Sequence, residues 1–391
     1  MTEYLAPGVY VEEIPGGPKP IAGVDTSTAA FVGHTLKAPR YGRPVTIHSL
    51  AKYEQLFGGA VPGFRMHAAL SAWFANGGGK AIVVPVGPCD PSVTDPAPLR
   101  RGLTRIGREP EPGLLLVPDA LCLSRDDYHE IARVMLRQCA RRRDRFALLD
   151  IHGGDAPGAG SVAGSAPLVA AFRAAIAPLG KALSWGAVYH PWLVDASGNA
   201  VPPAPAVAGV YARTDRERGV WKAPANAAVR GVADLTVPYR DADQDALNAP
   251  PGGLAVNTIR KFPGKGLLVW GARTLAVDDQ EYRYVPVRRL AACIEQSVKA
   301  YLQTLVFEPN EPRTWLAARA SIENFLISFW RAGGLTGSTP KQAFYVAVGL
   351  GMTMTAADLL AGRLIVEIGF APLRPAEYIT LRFRQNVTRV E

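Results

Sequence analysis

Gly77, Gly78, Gly79 and Lys80 stand in a row and have the residue types of a phosphate-binding loop: glycines that leave N–H groups open, and an ammonium for a phosphate oxygen. Their spacing does not complete one. Such a loop needs a further glycine separated by four residues from the Gly-Lys pair and a Ser or Thr after the lysine, and those places hold Phe74 and Ala81. Lys80 also leads into a strand-like run, where a phosphate loop opens a helix, so the stretch reads as a turn. Asp241, Asp243 and Asp245 have the alternate spacing of a calcium loop but lack its glycine and its terminal bidentate Glu; they read as a solvated turn. Cys89, Cys122, Cys139 and Cys293 are scattered without a CxxC pair, and the six histidines are dispersed. Buried reduced thiols are the expectation. With no GxSxG elbow, HExxH helix or GxGxxG after a strand, no catalytic, metal or cofactor-binding residue is nominated.

The net charge of +9 admits nucleic acid or an acidic protein surface as partner. The densest basic run, Arg137, Arg141, Arg142, Arg143 and Arg145, ends a helix that starts near Asp126 and Asp127, as a helix dipole favours. No aromatic residue interleaves with these arginines, so they read as a solvated helix end and nucleic acid is not expected. The first residues carry no secretory pattern. The Ala-rich stretch near 165–180 is interrupted by Arg173 and Pro178, so no membrane span is expected. The expectation is a chain made and assembled in the cytoplasm.

These residues must be held by recognisable elements. Apolar runs at Ala29–Gly33, Ala81–Val86, Gly113–Val117, Phe146–Asp150 and Trp185–Val194 alternate with helical stretches near 65–76, 125–143 and 164–179. That alternation predicts an α/β layer on a largely parallel sheet. The Pro/Gly-rich stretches 87–113 and 153–166 read as surface loops. From Pro286, Val287, Leu290, Ala291, Ile294, Val298, Tyr301, Leu302 and Leu305 share one helical face. A second helix spans Pro312 to Arg331, stopped by Gly333 and Gly334, and strands follow at Ala343–Val348 and Arg363–Phe370.

The ends differ from the rest. Val9, Tyr10, Val11, Glu12, Glu13 and Ile14 form a β-prone run fenced by Pro7-Gly8 and Pro15-Gly16, too short to be stable alone. At the other end Ile379, Leu381 and Phe383 alternate with Arg382 and Arg384, giving a strand with one apolar and one basic face. Two such strands of opposite charge suit a head-to-tail contact between copies, made by strand addition.

Several runs, in order, resemble the phage tail sheath family, including sheaths of R-type pyocins and extracellular contractile injection systems. They are YLAPGVYVEEI (Tyr4–Ile14), TSTAAFVG (Thr26–Gly33), YHPWL (Tyr189–Leu193), VAGVYA (Val207–Ala212) and GVWKAPAN (Gly219–Asn226). Then come Leu247-Asn248, VWGARTL (Val269–Leu275), VRRL (Val287–Leu290), FEPN (Phe307–Asn310) and GFAPLRPAEY (Gly369–Tyr378). Residues 87–180 match least.

The resemblance implies an α+β inner domain built from both termini and the C-terminal third, with an outer α/β domain inserted. The expected division is 1–20 a linking arm, 21–250 the outer domain, 251–377 the inner domain and 378–391 a linking strand. It also implies a non-enzymatic subunit that stacks as hexameric rings around an inner tube protein, between baseplate and terminal cap proteins. Contraction would drive the tube through a target envelope, as part of a phage tail or a released extracellular particle. Arg331 and Lys341, which flank the Gly333–Gly337 turn, are the expected tube-facing cations. The alternatives are a sheath paralogue serving as cap or baseplate adaptor, and a nucleotide-binding α/β enzyme.

Overall fold

The computed structural model describes residues 20–90, 95–248, 254–276 and 278–377. They fall into two compact units. The larger comprises Val24–Gln296 with the chain from Pro372; the smaller comprises Ser297–Ala371 with the described residues up to Gly23. The expected outer–inner boundary at residue 250 therefore lies inside the larger unit.

The strands of the larger unit are β1 (Ala29–Thr35), β2 (Val45–Ile47), β3 (Ala81–Pro88), β4 (Leu114–Leu116), β5 (Phe146–Asp150), β6 (Gly186–His190), β7 (Leu193–Val194), β8 (Ala200–Val201), β9 (Ala227–Ala228), β10 (Asp234–Leu235), β11 (Asn257–Phe262) and β12 (Gly266–Val269). Its helices are α1 (Leu50–Phe57), α2 (Met66–Ala75), α3 (Ala97–Ile106), α4 (Arg125–Arg142), α5 (Val162–Ile176), α6 (Ala204–Arg218), α7 (Asp241–Asn248) and the first part of α8 (Val285–Gln303). Nine strands form one sheet in the order β2-β3-β1-β4-β5-β6-β11-β12-β9. The run from β3 to β11 is parallel, with Ala29 opposite Ala81 and Leu114, Ala147 opposite Gly186, and Tyr189 opposite Asn257.

A parallel sheet must be covered on both faces, and β1 is buried at every position. Ala30 and Val32 pack in a layer with α3, α4 and α5; Ala29 and Phe31 pack in the opposite layer with α1, α2 and α6. This is the expected α/β architecture, doubly wound, and the strand order reverses between β1 and β4.

Four local expectations change. The 87–113 stretch contains α3, whose Leu99, Leu103 and Ile106 are buried one turn apart, so it is not simply a surface loop. Asp241, Asp243 and Asp245 lie in the helix α7 and not in a connecting turn. The arginine run is not all solvated: Arg145 is 1% exposed and donates to the carbonyls of Ile106 and Glu109, supplying partners at the carboxyl end of α3. Among the cysteines, Cys139 and Cys293 are buried, but Cys122 is exposed and Cys89 half-buried. Gly77 to Lys80 form the turn between α2 and β3, where a Cβ on Gly78 would lie 2.1 Å from the Trp73 ring. Val162–Trp185 is long and apolar enough by composition to cross a membrane, but Gly180 (φ 54, ψ −124) breaks its helical course.

The smaller unit holds the end of α8, then α9 (Pro312–Arg331), α10 (Pro340–Ala343), β13 (Phe344–Val348), α11 (Ala356–Leu360) and β14 (Val366–Phe370). Its core is Val298, Tyr301, Ala318, Ile322, Phe325, Leu326, Phe344, Val346 and Met354. The Tyr301 hydroxyl donates to Ser321 Oγ at 3.0 Å, tying α8 to α9.

Candidate functional site

The two expected linking runs, Val9–Ile14 and Ile379–Arg384, lie outside the described residues. Arg331 ends α9 and Lys341 sits in α10, both exposed. The turn between them is tightly built: Gly333 (φ 75) and Gly337 (φ 136) take conformations that favour glycine, and Trp330 Nε1 donates to the Gly337 carbonyl at 2.8 Å.

β13 and β14 form an antiparallel pair, Phe344 opposite Phe370 through Val348 opposite Val366. Among the described residues neither has a second neighbour, so the pair presents two open edges. Phe344, Val346 and Val348 face the core while Tyr345 is exposed; Val366, Ile368 and Phe370 are only half-buried. Two strands of five residues make a marginal sheet, and unpaired N–H and C=O groups along an edge template a further strand. The β2 edge of the large sheet is different. Arg40, Arg43, Arg105 and Arg108 line an open cavity of about 350 Å³ beside it, and charge on an edge discourages pairing.

The α8–α9 loop carries Phe307, fully exposed and at φ 74, a conformation an aromatic residue adopts only at a cost. Asn310 Nδ2 donates to the Arg363 carbonyl, and Thr353 donates to the carbonyl of Ile365. These bonds bring the Phe307 loop, the Leu350–Met352 turn and the segment after Leu360 to one end of the smaller unit. Leu350, Met352 and Leu360 are exposed there.

Two ionic clamps lie within the larger unit. In the first, Arg289 on α8 meets Asp215 on α6, with Nη1–Oδ1 2.9 Å and Nη2–Oδ2 2.5 Å. Both side chains are no more than 5% exposed. Thr26 completes it: its Oγ1 donates to Asp215 at 2.6 Å and its carbonyl accepts from Arg289 at 3.0 Å. Burial works against the Arg289 charge, but the Asp215 carboxylate outweighs it and holds the guanidinium above its usual pKa. In the second clamp Arg273, after β12, grips Glu377 through Nε at 3.0 and 3.1 Å and through Nη2. The Tyr284 hydroxyl donates to the same carboxylate at 3.4 Å, and Arg273 Nη1 donates to the Asn248 carbonyl at 3.2 Å. Spacing could not reveal these pairs, since the partners stand 74 and 104 residues apart.

In doubly wound enzymes a ligand sits where the strand order reverses. Here Asp119 occupies that point at 2% exposure, accepting from the N–H of His34 at 2.6 Å and of Arg65 at 2.7 Å. A Cβ on Gly33 would lie 2.5 Å from both Asp119 Oδ2 and Met66 Cγ. Burial raises the Asp119 pKa against the pull of its two donors. Among the described residues no group of three or more His, Cys, Asp or Glu could hold a metal ion.

Comparison with known proteins decides the family. The model for the phage tail sheath protein central domain matches residues 179–275, and that for the phage tail sheath C-terminal domain matches 277–386. A chain in the cryo-EM structure of the anti-feeding prophage baseplate is 34% identical, covering 98% of this chain and 100% of that one, with a TM-score of 0.77. This chain belongs to the phage tail sheath family. A chain of the PVC extracellular contractile injection system, from the sheath complex in its contracted state, is 32% identical over 99% of each chain, with a TM-score of 0.76. The tail sheath protein of Vibrio phage KVP40 is 28% identical over 138 residues, 34% of this chain. Matches to curated sheath proteins span 20%, 27% and 48% of those relatives' own lengths.

Set against the two sheath-family domains, both clamps have the same construction. Asp215 and Arg273 lie in the central-domain match, and Arg289 and Glu377 in the C-terminal match. Each clamp joins one domain of the sheath fold to the other by a buried arginine and a carboxylate.

Proposed function

We propose that this chain is the structural subunit of a contractile tail sheath. Copies stack as hexameric rings around an inner tube and contract to drive the tube through a target envelope. The observation that carries this reading is the β13–β14 pair with two open edges, in a fold that matches a contracted-state sheath chain end to end. The arm (residues 1–20) and the C-terminal strand (378–391) of neighbouring copies add to those edges. Five or six main-chain hydrogen bonds at a net ~1 kcal/mol each give roughly 5 kcal/mol per linkage.

The subunit is not an enzyme and needs no cofactor, a reading supported by Asp119 and Met66 filling the place where a doubly wound enzyme holds its ligand. Its partners are other copies, an inner tube protein met through the surface of Arg331 and Lys341, and baseplate and cap proteins. Neither nucleic acid nor membrane is a partner. The chain is made and assembled in the cytoplasm and ends in a phage tail or released particle.

A second reading, a sheath paralogue seated on the baseplate, is favoured by the match to a chain of a baseplate structure. Electron microscopy separates the two. The sheath subunit gives striated hollow cylinders of indefinite length, and a paralogue gives single rings. Removing residues 1–17 should leave a folded monomer with native circular dichroism and no cylinders. Cylinders at normal yield from the shortened chain would end the linking-arm reading.

A further inference from the structure

We infer that the clamp Arg273–Glu377 is a positioning device for assembly: it fixes the root of the C-terminal linking segment on the larger unit. This rests on the sheath reading above and extends it to named residues. The chain passes between units at Gly23–Val24 and at Ala371–Pro372. Glu377 is held immediately before Tyr378, where the expected C-terminal linking strand begins.

The chemistry suits anchoring better than stabilisation. A buried ion pair adds little net stability over apolar side chains of the same volume, because both charges give up their hydration. What it supplies is direction. A guanidinium fork donates to a carboxylate in one plane and at one distance, and the Arg273 fork also holds the Asn248 backbone carbonyl. The root of the C-terminal segment is thereby fixed in position and in heading.

The effect on assembly follows from tether length. The clamp at Glu377 stands two residues before Ile379; without it, the nearest held residue upstream is Pro372, seven residues before Ile379. Reach grows as the square root of length, so going from about two to about seven residues of tether nearly doubles it and enlarges the searched volume about sixfold. The effective concentration of the strand at its neighbour falls by the same factor.

The test uses the full-length chain with both members of a clamp made apolar, Arg273→Met with Glu377→Met, so that no lone charge is buried. The expected result is a thermal midpoint for the dilute subunit within a few degrees of wild type. The critical concentration for forming cylinders should rise about sixfold, read by pelleting and electron microscopy. Assembly at the wild-type concentration would overturn the inference. So would loss of assembly in step with loss of subunit stability, the mark of a purely structural pair. Wild-type chain that forms no cylinders would instead overturn the sheath reading itself.

Discussion

Replacing Asp215 with Asn keeps the shape of the first clamp and removes its negative charge. Arg289 would then be a cation at 4% side-chain exposure facing a neutral amide, with one amide N–H₂ turned toward its own donors. Removing one member of a buried pair costs about 3–5 kcal/mol, since the remaining charge has lost its partner and cannot recover its hydration. The Thr26 carbonyl and the Tyr211 ring, 4.9 Å from the guanidinium carbon, offset part of this and place the cost toward the lower figure. For a unit of this size 1 kcal/mol moves the midpoint by about 2–4 °C, so the variant should melt roughly 10 °C below wild type. Thermal unfolding of dilute subunit, followed by circular dichroism, measures this directly. Adding Arg289→Met and changing residue 215 to Leu should recover most of the loss. A midpoint for Asp215→Asn within about 2 °C of wild type would refute the account of this pair as buried and mutually dependent.

Two further outcomes follow from other residues. His190 is fully buried with neither ring nitrogen hydrogen-bonded among the described residues, and burial lowers its pKa to about 4. The fold favours the neutral ring, so stability is lost as pH falls from about 6.5 toward 4, by about 3 kcal/mol at ~1.4 kcal/mol per pH unit. Asp150, raised to about 7 by burial, works in the opposite direction; it is common to both proteins and cancels when wild type is compared with His190→Leu. The variant should show the smaller acid-induced drop in urea midpoint, and equal drops would remove His190 from the account. At the termini, Arg382→Glu with Arg384→Glu should block cylinder formation, at on the order of 0.2–1 kcal/mol per opposed like-charge pair repeated around each ring. Adding Glu12→Lys and Glu13→Lys should restore pelleting at low salt; a double reversal that pellets no better than the single one would mean the two ends do not meet through these charges.

The parallel core was legible because β1, β3, β4 and β5 are buried on both faces and therefore read as unbroken apolar runs. α9 was legible for the opposite reason, since its one buried face repeats at helical spacing. α6 escaped notice because eleven consecutive residues, Ala204 to Thr214, are buried, and a helix covered all round has no period to detect. α3 was hidden by Pro96 and Pro98 at its start and by Arg100, Arg101 and Arg105 on its outer face. The β11–β12 hairpin was hidden by Lys261, Gly264 and Lys265 around its turn. The clamps were out of reach of any spacing rule, because they depend on which distant elements the sheet brings together. A trace of them was present nonetheless. The runs that carried the family resemblance contain Thr26, Arg273, Arg289 and Glu377, charged or hydroxyl residues set among apolar ones and otherwise unexplained.

The smaller unit takes its residues from before Val24 and from Ser297 to Ala371, and β13 is unpaired until β14 exists. On a ribosome this sets an order. The larger unit can collapse around its sheet while the later part of the chain is still being synthesised. The β13–β14 edges proposed to recruit neighbours form only after Phe370 has emerged, and the second clamp closes only after Glu377. If neighbours join through those edges as proposed, a nascent subunit passes most of its translation unable to polymerise, and crowded polysomes can make many copies side by side without joining them prematurely.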